Sequence, residues 1–167
     1  MIRSFLSAVI VLLCFSLFES AVLSNILVLP AVPDFALIAL LYLAIRNGKG
    51  FGEASGFVSG FFLDFLSSAP IGLNCLVRVI IGYCSGIFDR TLNSNGIFIP
   101  IILSLVMTAA KFLLSWFISL FYPSIVIPYD PSTAAFYFEL VANALLAPII
   151  FRFLDLFSYM LIPEDEL

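Results

Sequence analysis

Six apolar blocks, separated by short polar or glycine- and proline-containing breaks, organise this chain. They run approximately over 5–24, 35–47, 50–66, 71–88, 97–121 and 134–161. About 20 apolar residues are needed to cross bilayer hydrocarbon as a helix, and most blocks approach that length. The second is the weak one. Its continuous apolar part, Phe35 to Ile45, rises only ~16 Å as a helix. Its flanks, from Pro33 to Lys49, can lengthen it, with Arg46 and Lys49 snorkelling toward water. The alternative is a half-span, with Asn25 to Pro33 lying in the outer interface.

Polar and small residues recur inside the blocks at helical spacing. At about 100° per residue, Gly52, Gly56, Gly60 and Asp64 fall in one row, with Phe51, Val58, Phe62 and Phe65 on the other side. Small residues let helices approach closely in lipid. The glycine row therefore predicts a packed face, and the phenylalanines a lipid-facing one. Asn74, Arg78, Gly82 and Gly86 form a similar row in the fourth block. Ser104, Thr108, Lys111, Ser115 and Ser119 do so in the fifth, and Glu139, Asn143 and Ala147 in the sixth.

Composition sets the environment. Of 167 residues, 63% are hydrophobic and 11% charged, with a mean hydropathy of +1.19, whereas soluble domains carry about 25% charged residues. Too few polar residues exist to cover a water-facing surface, so the chain reads as an all-α integral membrane protein with a single polytopic domain. The net charge of -4 comes with no basic run, which argues against a nucleic-acid partner. Histidine is absent, removing the commonest metal ligand and general base. Cys14, Cys75 and Cys84 lie in apolar runs and read as reduced packing residues. The N-terminal block resembles a secretory signal. Its apolar character continues to Leu29, beyond the about 7–15 residues of a signal core, so it reads as a retained first span.

Cation placement orients the chain. With six spans and a cytoplasmic N-terminus, Arg3, Arg46, Lys49, Arg90 and Arg152 all fall on the cytoplasmic side. The segments near Asn25–Asp34, Ser67–Pro70 and Tyr122–Thr133 contain no lysine or arginine. Both termini are then cytoplasmic.

Five ionisable residues remain inside the blocks: Glu19, Asp64, Arg78, Lys111 and Glu139. Each would cost roughly 2.5–3.5 kcal/mol facing lipid at mid-bilayer. Their phase turns them inward and their positions place them in the mid-to-outer half. They predict a buried network in which Asp64 meets Arg78 across the external turn and Lys111 bridges to Glu19 or Glu139. Three acids against two bases leave one negative charge, to be met by a proton or a partner's cation. Such a set fixes helix register, binds a partner or substrate, or relays protons. Arg152 and Asp155, one turn apart, read as a solvated pair.

The stretch AVPDFALIALLYLAIRNGKGFGEASGFVSGFFLDFLSSAPIGLNCL resembles the MreD family of bacterial rod-shape-determining proteins. The resemblance rests on Pro33-Asp34 opening a short apolar segment, the glycine-rich turn from Gly48, and Gly56-Phe57-x-x-Gly60 leading to Leu63-Asp64. Gly72-Leu73 and the row Gly82-Tyr83-x-x-Gly86 follow. It implies a non-enzymatic inner-membrane scaffold of the rod complex, binding a bitopic MreC-like protein. A RodA-like polymerase, a class B penicillin-binding transpeptidase and MreB would be neighbours, with membrane lipid around. No cofactor and no catalytic residue is carried over.

The resemblance also implies a fold similar to the substrate-binding S-components of energy-coupling-factor transporters, a bundle of six helices, or five plus a half-span. The alternative function is then a genuine S-component capturing a vitamin or metal. Many S-components carry small residues four apart in the first helix, whereas here Ala8 is followed by Leu12. Without histidine or a supported nucleophile, an intramembrane enzyme is disfavoured, as is a channel.

Overall fold

The computed structural model describes residues 2–26, 29–67, 70–89, 96–123 and 133–163. Among them the regular structure is helical, with no strand. Six long helices run α1 (Ile2–Ala21), α2 (Phe35–Asn47), α3 (Lys49–Leu66), α4 (Leu73–Gly86), α5 (Phe98–Phe121) and α6 (Ala134–Asp155). A 3₁₀ turn at Leu23–Asn25 follows α1. The last apolar block is not one helix to Leu161. It breaks at Leu156 and Phe157, and a short α7 (Ser158–Leu161) returns toward α1. By length and composition, Ile2–Asn25, Phe98–Phe121 and Ala134–Asp155 can each cross a membrane. Arg90, most of the segment between α5 and α6, and the acidic C-terminal residues lie outside the described residues.

The weakest block forms the centre. From Ala36 to Ala44 every residue of α2 is 0% exposed. A helix that is apolar all round belongs inside a protein, and α1, α3, α4, α5 and α6 all pack on it. At 13 residues α2 is about 20 Å long. Wrapped by other helices, it has no need to match lipid thickness. Arg46 does not snorkel freely at its end. Its Nη2 meets Asp155 Oδ1 at 2.8 Å, and Tyr42 donates to the same oxygen at 2.9 Å. Asp155 is thus held by α2, while Arg152 is exposed.

Helices α3 and α4 form an antiparallel pair whose backbones touch. A Cβ at Gly52 would lie 2.4 Å from Gly82 O, at Gly56 2.3 Å from Arg78 O, and at Gly60 2.4 Å from Cys75 Cα. Gly82 and Gly86 meet Gly52 O and Lys49 Cα in the same way, at 2.1 and 2.6 Å. The opposite face of α3 is one residue out of the expected phase. Phe57, Phe61 and Phe65 are the exposed stack, with ring centroids 6.2 and 4.7 Å apart. Phe51, Val58 and Phe62 are half-buried, and Phe51 packs edge-on against Phe5 of α1 at 5.6 Å.

Around the bundle the usual distribution is inverted. Ile10, Ile102, Trp116, Leu145 and Ile149 face outward, while Ser59, Ser85, Thr108 and Asn143 are 0% exposed. Large apolar side chains outside and polar ones inside suit a molecule whose surroundings are hydrocarbon.

Candidate functional site

Helix α2 begins inside the bundle. About 15 Å of α5 separates Lys111 from the helix end at Phe121, at about 1.5 Å per residue, yet Lys111 Nζ lies 2.8 Å from Asp34 Oδ2 at the start of α2. A helix start buried within the bundle needs partners for its first N–H groups. Asp34 Oδ1 accepts from Leu37 N–H at 2.8 Å, and Glu19 Oε1 of α1 accepts from Ala36 N–H at 2.6 Å. The Asp34 N–H donates to Asn143 Oδ1 at 2.8 Å, and Asn143 in turn donates to Thr108 Oγ1 at 3.2 Å. Two carboxylates at the positive end of a helix also meet its dipole favourably.

Their charge is met from the other helices. Arg78, 1% exposed, places Nη2 2.5 Å from Asp34 Oδ1, and its Nη1 donates to Ser59 Oγ on α3. Lys111 pairs with both Asp34 and Glu139. Each of the six long helices, or its cap, therefore contributes a side chain to one cluster. Glu19, Arg78, Lys111 and Glu139 come together as an inward charge set. The residue at its centre, Asp34, gives no such signal in the sequence, where it reads as a loop aspartate at the outer interface. The available signal was the shortness of the second block, which requires one end of its helix to stop within the bundle.

Asp64 stands apart from that set. Its Oδ2 accepts from Gly72 and Cys75 N–H at 2.8 and 3.3 Å, and its Oδ1 from Asn74 N–H and Nδ2 at 3.0 and 2.9 Å. It caps α4 across the turn instead of pairing with Arg78, whose guanidinium points to Asp34. Gly72, at φ +96°, occupies the left-handed region that favours glycine and turns these donors toward the carboxylate. Asp64→Ala leaves those N–H groups without their acceptor, and about 2 kcal/mol of stability should be lost. Asp64→Asn keeps one acceptor oxygen and should lose less. Thermal unfolding in detergent orders wild type, Asn and Ala in that sequence; equal midpoints would remove the cap from the account.

Beside the cluster lies a cleft of about 520 Å³. Glu19, Asp34, Arg78, Lys111 and Glu139 form its charged wall. Val32, Pro33, Leu63 and Leu66 supply apolar surface, and Ser20, Ser24 and Ser67 contribute hydroxyls. Among the described residues no group of three or more histidine, cysteine or acidic side chains is arranged to hold a metal. The arrangement can anchor helices through paired charge, or accept a small polar group into the cleft.

A family model described as rod shape-determining protein MreD matches residues 2–157. No curated protein and no solved structure matches the chain.

Proposed function

The chain belongs to the MreD family of rod shape-determining proteins, a membrane family, and from that premise we propose that it is a non-enzymatic scaffold subunit of the rod complex. It binds an MreC-like bitopic protein and helps position peptidoglycan synthesis, with a RodA-like polymerase, a class B transpeptidase and MreB as further neighbours. The observation carrying this reading is that the interior Arg78 and Lys111 are engaged by Asp34 and Glu139. Charges bound to one another serve to specify which helices pair and in what register, whereas a catalytic site needs a nucleophile poised against a base.

On this reading the bundle is one domain with six spans in the inner membrane and both termini in the cytoplasm. Support comes from Arg3, Arg46, Lys49 and Arg152, which sit at the helix ends opposite the Glu19–Asp34–Glu139 cluster. Purification in mild detergent should bring down an MreC-like protein, and depletion should round a rod-shaped host. Normal shape after clean depletion contradicts the scaffold.

A second reading, a solute-capturing S-component, is favoured by the 520 Å³ cleft. Against it, Ala8 and Leu12 are both 0% exposed, so that face of α1 is already occupied within the bundle. Tight binding of a vitamin or metal by calorimetry, with no MreC-like partner recovered, would favour this second reading.

A further inference from the structure

Among the described residues the cluster's cations each have a carboxylate, but one carboxylate lacks a cation. Glu19 is 6% exposed, and its Oε1 takes the Ala36 N–H. Among the described residues, the ion pairs of the cluster fall on Asp34 and Glu139, and the second oxygen of Glu19 accepts no hydrogen bond. That side chain is also part of the cleft wall. A buried carboxylate facing an open cavity, in a set of three acids and two bases, is one positive charge short.

We propose that the cleft is a binding site for an ammonium group, carried by a lipid headgroup or by a free amine, with Glu19 as its counter-ion. An anionic ligand is the poorer fit, because Arg78 and Lys111 are already engaged and a carboxylate would have to be displaced. An ammonium displaces nothing. Ser20 and Ser24 in the same lining offer hydroxyl acceptors for its remaining N–H bonds, while Val32, Leu63 and Leu66 suit the methylene stem. At about 520 Å³ the cleft falls within the usual range for small ligands, roughly 300–1,000 Å³. The site goes beyond the scaffold reading and stands whether or not that reading holds.

The full-length protein is placed in phosphatidylglycerol nanodiscs containing a minor fraction of phosphatidylethanolamine. Native mass spectrometry then counts the lipid retained on the released protein. Retention of phosphatidylethanolamine should exceed that of phosphatidylglycerol by at least about tenfold, and Glu19→Gln should erase the preference, as expected for loss of a charge-assisted hydrogen bond. Glutamine keeps an oxygen for the Ala36 N–H, so the start of α2 is retained. Ala31→Phe, which narrows the cleft without altering charge, should also erase the preference while the unfolding midpoint stays unchanged. Calorimetry with ethanolamine distinguishes the source: Glu19-dependent binding of the soluble amine assigns the site to a free solute. The proposal fails if neither ammonium probe is preferred, leaving Glu19 to be neutralised by a proton alone. It fails equally if the preference survives in Glu19→Gln or in a folded Ala31→Phe.

Discussion

Asp34→Ala should be the most damaging single substitution in the interior. It removes the cap of Leu37 N–H and leaves Arg78, 1% exposed, without its carboxylate in a bundle surrounded by hydrocarbon. Breaking a buried pair from one side costs about 3–5 kcal/mol, mostly because the surviving charge stays buried. For a chain of this size that lowers the unfolding midpoint by about 10 °C, and the variant should accumulate poorly in membranes. Asp34→Asn retains an acceptor for Leu37 N–H and should be milder, though still worse than Asp64→Ala. Loss of Lys111 leaves Glu139 without its cation, whereas Asp34 keeps Arg78. Thermal unfolding of the detergent-purified variants orders them. An Asp34→Ala protein as stable as wild type would mean the cluster is incidental to the fold.

Gly56→Leu should match it in severity for a different reason. Any Cβ there would lie 2.3 Å from Arg78 O and 2.8 Å from Arg78 C, both backbone atoms that cannot swing away. Helix α4 would have to move outward, taking the Arg78 guanidinium from Asp34, so packing and electrostatics fail together. Overpacking commonly costs about 1–3 kcal/mol when side chains can adjust; with backbone as the obstacle, the loss should be at least about 3 kcal/mol. Phe61→Leu, on the exposed face of the same helix, should stay within about 0.5 kcal/mol. The contrast is read from expression in membranes and unfolding midpoint. Equal effects on both faces would remove the close approach of α3 and α4 as a determinant.

The elements of this fold are written in the chain where a single physical signal controls them. Apolar runs long enough for lipid mark α1, α5 and α6, and the four-residue glycine spacing marks the face where α3 meets α4. The outward face of α3 lies about one position from where the spacing predicts it, because Phe51 and Phe62 are at the margins of the packed stripe and hydropathy does not distinguish margin from surface. The break at Leu156–Phe157 was invisible for a similar reason: both sides of it are apolar.

The charge cluster was legible in its members but not in its centre. Glu19, Arg78, Lys111 and Glu139 are conspicuous because an ionisable group within an apolar helix demands a partner. Asp34 precedes its helix, where an aspartate is ordinary as a cap. Only the three-dimensional wrapping of α2 turns that cap into a buried one. Asp64 and Arg78 are near in sequence, which made them a natural pair. Yet the intervening turn presents Gly72, Asn74 and Cys75 N–H groups that satisfy Asp64 first.

The central claim, that Asp34 and Arg78 form a coupled pair holding the start of α2 within the bundle, is tested by a double-mutant cycle. Unfolding free energies are measured for Asp34→Asn, Arg78→Met and the combined variant in the same detergent. Removing both partners leaves Lys111 with Glu139 and no orphaned guanidinium. The double variant should therefore be no less stable than the worse single variant, with a coupling energy of at least about 1.5 kcal/mol. Losses that simply add, to within about 0.5 kcal/mol, would contradict it.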